Sequence, residues 1–208
     1  MEGDGVGALQ TLSEAKALDP ELPEIYHSEA IALHGKRDYE SALLHVNKAL
    51  SLAPSYTEAK VTRGKILMDL GRYQDAQVDL LSVTKDHLYR DSFKAWINLG
   101  VINYRLEHDA EAKKFLQEAL VASPNKACLA HYYLGHIALR AEAFKDAIRN
   151  YQQASIRGCA KIGDAKVALG IALTKNKQFE LARKTFLEIQ KLYPEHADQA
   201  MEKLKELP

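Results

Sequence analysis

The sequence predicts an all-α fold, a right-handed superhelix of antiparallel helix pairs. The first observation is a set of six alanines at one register, spaced 34 to 36 residues apart: Ala8, Ala42, Ala76, Ala112, Ala147 and Ala182. The second is a set of four glycines at another register, spaced 35 or 36 residues apart: Gly64, Gly100, Gly135 and Gly170. A fixed period of this length, with a small residue in each of two helices, indicates stacked helical hairpins.

Large residues recur around these small ones at steps of three and four, which keeps them on one face of a helix. In the second helices, the alanine is followed four residues later by a large apolar residue, as in Ala147 and Tyr151. The glycines fall in the middle of the first helices, where glycine costs about 1 kcal/mol relative to alanine. We therefore predict that each glycine lets a neighbouring helix approach closely.

The two registers divide the chain into a half repeat, five complete repeats and a terminal helix. Residues 5–194 are predicted to form a single solenoid, with complete repeats beginning near residues 23, 57, 93, 128 and 163. Residues 5–20 match only the second helix of a repeat, and residues 195–207 form a charged capping helix. An uncapped apolar face invites association. We therefore expect either a longer natural N-terminus or self-association through the half repeat.

Four prolines are expected to mark the ends of second helices: Pro20, Pro54, Pro124 and Pro194. Proline lacks the backbone N–H that would continue a helix. The positions equivalent to proline in the two remaining repeats are Leu88 and Cys159, and the segment 85–91 contains two extra residues. The sequence therefore predicts a longer turn at 85–91.

Composition argues against several classes of function. The chain has 28 basic and 28 acidic residues, and a net charge of zero is unlike that of a dedicated nucleic-acid-binding protein. No stretch approaches the roughly 18 apolar residues of a membrane span, and no export signal is visible. Phosphate-binding loops, serine nucleophile elbows and zinc-protease motifs are missing from the sequence. We expect no enzyme activity, no cofactor and no metal site.

The two cysteines, Cys128 and Cys159, lie near the start of a first helix and the end of a second helix in one repeat. An antiparallel pair brings those two ends together. The placement is compatible with a disulfide, and it is also compatible with two inert buried thiols. The sequence leaves both interpretations open.

The period and the paired small residues resemble the tetratricopeptide repeat family over nearly the whole chain. That resemblance implies a protein that binds other polypeptides on a concave surface lined by its first helices. The predicted contact residues are Met68, Lys94, Ile97, Val101, Tyr104, Arg105, Tyr132, His136, Leu139, Arg140, Val167 and Ile171. Apolar anchors with a few polar groups suit an extended or helical peptide segment. The alternative is that several of these side chains pack against neighbouring repeats.

A closer resemblance is to the type IV pilus pilotins. It rests on Leu80-Leu81, Asp86-His87-Leu88-Tyr89, Asn98-Leu99-Gly100, Ala112-Lys113, Phe115, Ala119-Leu120 and the ending Gln190-Lys191-Leu192-Tyr193-Pro194. Pilotins carry six repeats, a number that five and a half units match if one leading helix is missing. The resemblance implies a lipoprotein on the periplasmic face of the outer membrane, which helps the pilus secretin reach the membrane and assemble. The chain departs from the pattern because no lipidation cysteine stands near Met1.

Two functions follow from these observations. The first is a pilotin-type adaptor that holds a segment of the secretin, or of a helper protein, and is attached to the membrane only through a lipid anchor. The second is a cytosolic scaffold that docks a signalling or polarity protein. In both cases the partner is a protein or peptide segment, and the predicted groove residues contact it.

Overall fold

The computed structural model describes residues 19–156, 159 and 162–208. Within these ranges the chain forms α-helices, one short 3₁₀ helix and turns, with no β-strand, which confirms the predicted all-α fold class. The predicted half repeat lies almost entirely outside the described residues. None of the helices in the described ranges is long and apolar enough to cross a lipid bilayer.

Eleven α-helices are present in the described residues. They are α1 (Pro23–Gly35), α2 (Tyr39–Leu52), α3 (Thr57–Asp69), α4 (Tyr73–Val83), α5 (Phe93–Arg105), α6 (Asp109–Ala122), α7 (Cys128–Arg140), α8 (Phe144–Ala154), α9 (Ile162–Lys175), α10 (Phe179–Leu192) and α11 (Ala197–Lys205). The 3₁₀ helix Pro194–His196 precedes α11. The chain divides into two compact units, one ending at Asn98 and the other spanning Leu99–Pro208. Each unit by itself is a stack of antiparallel hairpins.

The glycine register confirms the predicted close approach of helices. A Cβ atom added at Gly64, Gly100, Gly135 or Gly170 would lie 2.5–2.8 Å from a side chain of the second helix in the same hairpin. In every case that side chain is the large residue four positions after the register alanine: Leu80, Leu116, Tyr151 and Phe186. These four side chains are at most 1% exposed. The glycine therefore makes room for the largest side chain of its hairpin.

A three-residue turn joins the two helices of each hairpin. One residue in each turn has a left-handed backbone, with φ between 55° and 74°: Arg37, Gly71, Glu107, Glu142 and Lys177. The amide of this residue donates to a carbonyl near the end of the first helix, for example from Gly71 to Met68 at 3.2 Å. A residue with a Cβ pays about 1–2 kcal/mol for this conformation. The tight turn therefore persists in four hairpins without glycine.

Proline ends three of the second helices, as predicted. Helices α2, α6 and α10 each stop two residues before Pro54, Pro124 and Pro194, respectively. The intervening residue is extended, with φ between −132° and −156°. A residue that precedes proline is disfavoured in the helical region, which explains the stop. Helix α4 has no such proline, and the nine residues 84–92 that follow it form the predicted longer turn.

The structure decides between the two interpretations of the cysteines. Cys128 at the start of α7 and Cys159 after α8 form a disulfide, with their Cα atoms 5.8 Å apart. Both residues are buried. The disulfide links the two ends of one hairpin in the second unit.

Candidate functional site

The structure places the twelve predicted contact residues in three environments. Four are buried, with 4–6% of their surface exposed: Met68, Ile97, Val101 and Val167. Five are half-buried: Tyr104, Tyr132, His136, Leu139 and Ile171. Three are exposed: Lys94, Arg105 and Arg140. Because burying an apolar side chain is worth about 1.5–3 kcal/mol, the four buried residues pack mainly within the protein. Val167 also lines a pocket beside Tyr132 and His136.

The half-buried residues all belong to the second unit, and together they define what we call the tyrosine groove: Tyr104, Tyr132, His136, Leu139 and Ile171. They come from the first helices α5, α7 and α9. The ring of Tyr104 lies 6.0 Å from that of His136, and His136 and Ile171 line one pocket together. Lys94 lies in the first unit. The candidate site is therefore confined to the second unit.

Aromatic rings form the centre of the tyrosine groove. The centroids of the Tyr132 and His136 rings are 4.4 Å apart, and those of Tyr104 and Tyr133 are 5.3 Å apart. The ring of Tyr151 lies 5.3 Å from that of His136. These three pairs meet edge to face, an arrangement that the quadrupoles of aromatic rings favour. The rings therefore pack against one another, while Tyr104, Tyr132 and His136 stay partly exposed.

Sequence reasoning did not place Tyr133 and Tyr151 at this site. Tyr151 follows the register alanine of α8 and was expected only in the core, where it lies, but its hydroxyl reaches His136 Nδ1 at 3.0 Å. Tyr133 stands next to Tyr132 in the sequence, and three consecutive ring-bearing residues, His131 to Tyr133, are the signal that marks it. Four tyrosines therefore surround one histidine.

The aromatic cluster carries no charge at neutral pH. Burial lowers the pKa of His136 below its ordinary value of 6.5, and this effect outweighs the nearby charge of Asp164, which acts in the opposite direction. Burial also raises the pKa of Tyr132 to about 12 and raises the pKa of Tyr151. The hydroxyls therefore stay protonated and can donate hydrogen bonds.

Arg140 forms one wall of the groove. Its guanidinium lies 4.8 Å from the centroid of the Tyr104 ring, within the range of a cation–π contact. The same guanidinium forms an ion pair with Asp109 at the start of α6. These two contacts hold the side chain across the end of the aromatic cluster.

Two small pockets open beside the cluster and share Ile171. The first has a volume of about 150 Å³ and is lined by Tyr132, His136, Asp164, Val167, Ala168, Ile171 and Gln199. The second has a volume of about 190 Å³ and is lined by Leu139, Arg140, Glu142, Phe144, Ile171 and Lys175. Both are smaller than the roughly 300–1,000 Å³ of a typical small-molecule site. Each pocket is therefore of a size for one side chain of a bound polypeptide.

Asp164 and Gln199 are further lining residues that sequence reasoning missed. Asp164 lies in the first turn of α9, and Gln199 is an exposed residue of α11. The terminal helix packs on the end of the second unit through Ala200 and Leu204, which brings Gln199 to the pocket. The sequence marks this helix as amphipathic but does not show which first helix it meets.

The chemistry available in the groove is that of polypeptide binding. Aromatic faces and an isoleucine offer apolar contact, while tyrosine hydroxyls and Gln199 offer hydrogen bonds. In the part of the chain that the structure describes, no three His, Cys, Asp or Glu side chains lie close enough to hold a metal ion. The charged side chains beside the cluster include Asp164, which lines the first pocket, and Arg140, which is paired with Asp109.

Comparison with known proteins gives similarity to two pilus proteins. Type IV pilus assembly protein PilF from Pseudomonas aeruginosa is 23% identical over 184 residues, which cover 88% of this chain and 72% of PilF. A structure of Pseudomonas aeruginosa PilF superposes with a TM-score of 0.75 at 20% identity, covering 91% of this chain and 89% of that one. PilW, described as a widely conserved type IV pilus biogenesis factor, superposes with a TM-score of 0.83 at 18% identity, covering 95% and 91%.

The fold is also similar to that of YrrB, described as a tetratricopeptide protein with an unusual peptide-binding site. The TM-score is 0.60 at 20% identity, over 95% of this chain and 100% of YrrB. The sequence profile described as Tetratricopeptide repeat matches residues 61–127 and 132–197, which make up more than half of the chain. With its regular hairpins and its glycine and alanine registers, the chain belongs to the tetratricopeptide repeat family.

Proposed function

We propose that this protein is a non-enzymatic adaptor of type IV pilus biogenesis that holds a segment of a partner polypeptide in the tyrosine groove. Similarity to PilF and PilW supports a role in type IV pilus biogenesis. The groove supports the mode of action, because Ile171 lines two pockets that are each of a size for one side chain. A chain segment that lies across Ile171 places one side chain in each pocket.

The chemistry of the groove favours an apolar partner segment. The aromatic rings at its centre are uncharged at neutral pH, and the guanidinium of Arg140 is already paired with Asp109. A charged side chain that entered between the aromatic rings would lose its hydration among uncharged groups. Half-buried tyrosines supply large contact areas with little loss of side-chain freedom, which is why they carry much of the energy in many interfaces.

The Cys128–Cys159 disulfide is the observation that favours an envelope protein over a cytosolic scaffold. Disulfides form and persist in oxidising compartments such as the bacterial periplasm and are rare in the cytosol. A periplasmic adaptor therefore fits both the disulfide and the similarity to pilus proteins. The cytosolic scaffold that docks a signalling or polarity protein fits only the repeat fold.

Within this proposal the protein acts as a pilotin. The partner is the pilus secretin, the location is the periplasmic face of the outer membrane, and the role is to help the secretin reach the membrane and form its ring. The lipid anchor that the pilotin resemblance implies stays a prediction.

Assembly of the secretin in cells tests the proposal. In a strain that lacks the gene, we expect the wild-type protein to restore secretin multimers in the outer-membrane fraction, and Ile171→Asp to fail. The matched control is Leu187→Asp, which places the same charge on α10, where the leucine is 52% exposed and lies outside the groove. Normal multimers with Ile171→Asp, at equal protein levels, would rule out the groove as the working site.

A further inference from the structure

Three pockets of the second unit share Ile171, and they differ in the charges of their linings. Besides the two pockets of the tyrosine groove, a third of about 320 Å³ is lined by Ile171, Thr174, Lys175, Phe186, Lys203 and Glu206. The second and third pockets each have two cationic side chains and one carboxylate. Among the described residues that line the first pocket, Asp164 is the one Asp, Glu, Lys or Arg side chain. We call this first pocket, of about 150 Å³, the acidic pocket.

The charge of Asp164 acts on the other residues of the acidic pocket. Burial is the main cause of the raised pKa of Tyr132 and of the lowered pKa of His136, and in both residues the charge of Asp164 is the next cause. A negative charge makes it harder to ionise a tyrosine and easier to protonate a histidine. Both rings line the pocket with Asp164. The lining of the pocket therefore has a negative potential.

Three side chains of the acidic pocket can accept hydrogen bonds. They are the carboxylate of Asp164 on α9, the hydroxyl of Tyr132 on α7 and the amide oxygen of Gln199 on α11. Asp164 also faces His196, whose Nε2 atom lies 3.7 Å from Oδ1. That contact offsets the charge of the carboxylate only when the imidazole is protonated. The acceptors therefore suit an occupant that donates hydrogen bonds and carries a positive charge.

The remainder of the acidic pocket is apolar. Val167, Ala168 and Ile171 follow Asp164 at steps of three, four and seven residues, which places all four on one face of α9. The apolar part of this face extends about 10 Å along the helix from Asp164. Lysine and arginine combine an apolar stem with a charged end, and they bury the stem on apolar surface. A purely apolar side chain would instead take hydration from the carboxylate without replacing it.

We propose that the acidic pocket binds a lysine or arginine side chain of the partner segment, with the stem against Ile171 and the charged end at Asp164. The inference rests on the proposed function, because it takes the tyrosine groove as the site that holds the partner. It adds one requirement, a single basic residue in a segment that is otherwise apolar. This residue also fixes the orientation of the segment, because a reversed segment would bring its cation to Lys175 in the second pocket.

Two opposite substitutions of Gln199 test the charge of the occupant. Gln199 is exposed on α11, so neither substitution disturbs the core. The measurement is the binding of the purified chain to detergent-solubilised pilus secretin by biolayer interferometry. Gln199→Glu should tighten binding about fivefold at low salt, and Gln199→Lys should weaken it about fivefold. Both differences should shrink at high salt. Equal affinities of the two variants, or the reverse order, would overturn the inference.

Removing the carboxylate itself is the second test. Asp164→Asn should weaken binding at least about tenfold and reduce its salt dependence, whereas Asp164→Glu should retain both. The matched control is Asp198→Asn, which removes a carboxylate from the first turn of α11, outside the lining of the pocket. It should leave the affinity unchanged.

Leu139→Ala separates this inference from the proposed function, because Leu139 lines the second pocket and carries no charge. It should weaken binding about fivefold and leave the salt dependence as it is. Weaker binding by Leu139→Ala together with wild-type binding by Asp164→Asn would overturn the basic residue and leave the groove as the binding site. A wild type that binds no secretin, or wild-type affinity in both variants, would overturn the proposed function and this inference with it.

Discussion

Replacing Gly135 with alanine tests the close helix contact on which each hairpin depends. The added Cβ atom would lie 2.6 Å from Cε1 and 2.7 Å from Cδ1 of Tyr151. The Tyr151 ring is fully buried, and its hydroxyl is tied to His136 Nδ1 at 3.0 Å. A planar ring held at both ends cannot move aside as the tip of a leucine can. Helices α7 and α8 therefore have to separate.

The size of the effect follows from two opposing contributions. Overpacking a well-packed core costs about 1–3 kcal/mol, while alanine gains about 1 kcal/mol over glycine in the middle of a helix. Because the ring is held at both ends, we take the upper half of the overpacking range and expect a net loss of about 1–2 kcal/mol. For a chain of this size, each kcal/mol corresponds to about 2–4 °C in melting temperature.

Urea denaturation followed by circular dichroism measures this loss, and Gly35→Ala is the matched control. Gly35 is the last residue of α1, and a Cβ atom there would meet no other atom within 4 Å. Gly35→Ala should therefore be neutral or stabilising by up to about 1 kcal/mol. Hydrogen exchange should locate the Gly135→Ala effect in α7 and α8. Equal stability of the two variants would refute the packing argument.

Three further predictions concern pH, the disulfide and a turn. Burial lowers the pKa of His136 in the folded protein below its ordinary value of 6.5. Between the two pKa values the unfolded chain binds more protons than the folded chain. The free energy of unfolding should therefore fall as the pH drops below 6.5. Thermal melts at several pH values should show a smaller loss for His136→Gln, and a parallel loss would contradict this. The double substitution Cys128→Ser and Cys159→Ser opens a loop of 31 residues and should cost about 3–4 kcal/mol in urea denaturation, whereas a change below about 1 kcal/mol would count against a stabilising disulfide. Gly71→Ala should cost about 1–2 kcal/mol because of its left-handed backbone, and an unchanged urea midpoint would disprove this.

Periodicity predicts those parts of the fold that repeat in every hairpin. The alanine and glycine registers identify the contacts between the two helices of a hairpin because one small residue and one large residue meet at the same place each time, as Gly100 meets Leu116. Proline marks the end of α6 because its effect on the preceding residue is local. Such features depend on residues within one repeat, which a sequence displays directly.

The candidate site was predicted only in part, because exposure depends on what packs against each residue. Val101 and Val167 occupy the same kind of first-helix position as Tyr104 and Ile171, yet the two valines are buried and the other two residues are half-exposed. The contribution of Gln199 arises from the way α11 folds back on the second unit. No periodic pattern contains that information.

The non-repeating features of the first unit were also beyond sequence reasoning. Arg63 at a leucine position signals a local difference, but only the structure shows that its partner is Asp79 and that a pocket opens beside the pair. In the same way, Arg37 in a left-handed turn could not be predicted, since glycine is the usual residue for that backbone. Tight packing of the flanking helices imposes the conformation on whatever residue the chain supplies.

Photo-crosslinking in living cells tests most directly whether the tyrosine groove holds the secretin. A photoreactive residue replaces Gln199, which lines a pocket of the groove, or Gln152, another exposed glutamine, on α8, that lines neither pocket of the groove. We predict that position 199 gives a crosslink to one segment of the pilus secretin and that position 152 gives none. The absence of a secretin crosslink from position 199, or equal crosslinks from both positions, would contradict this account.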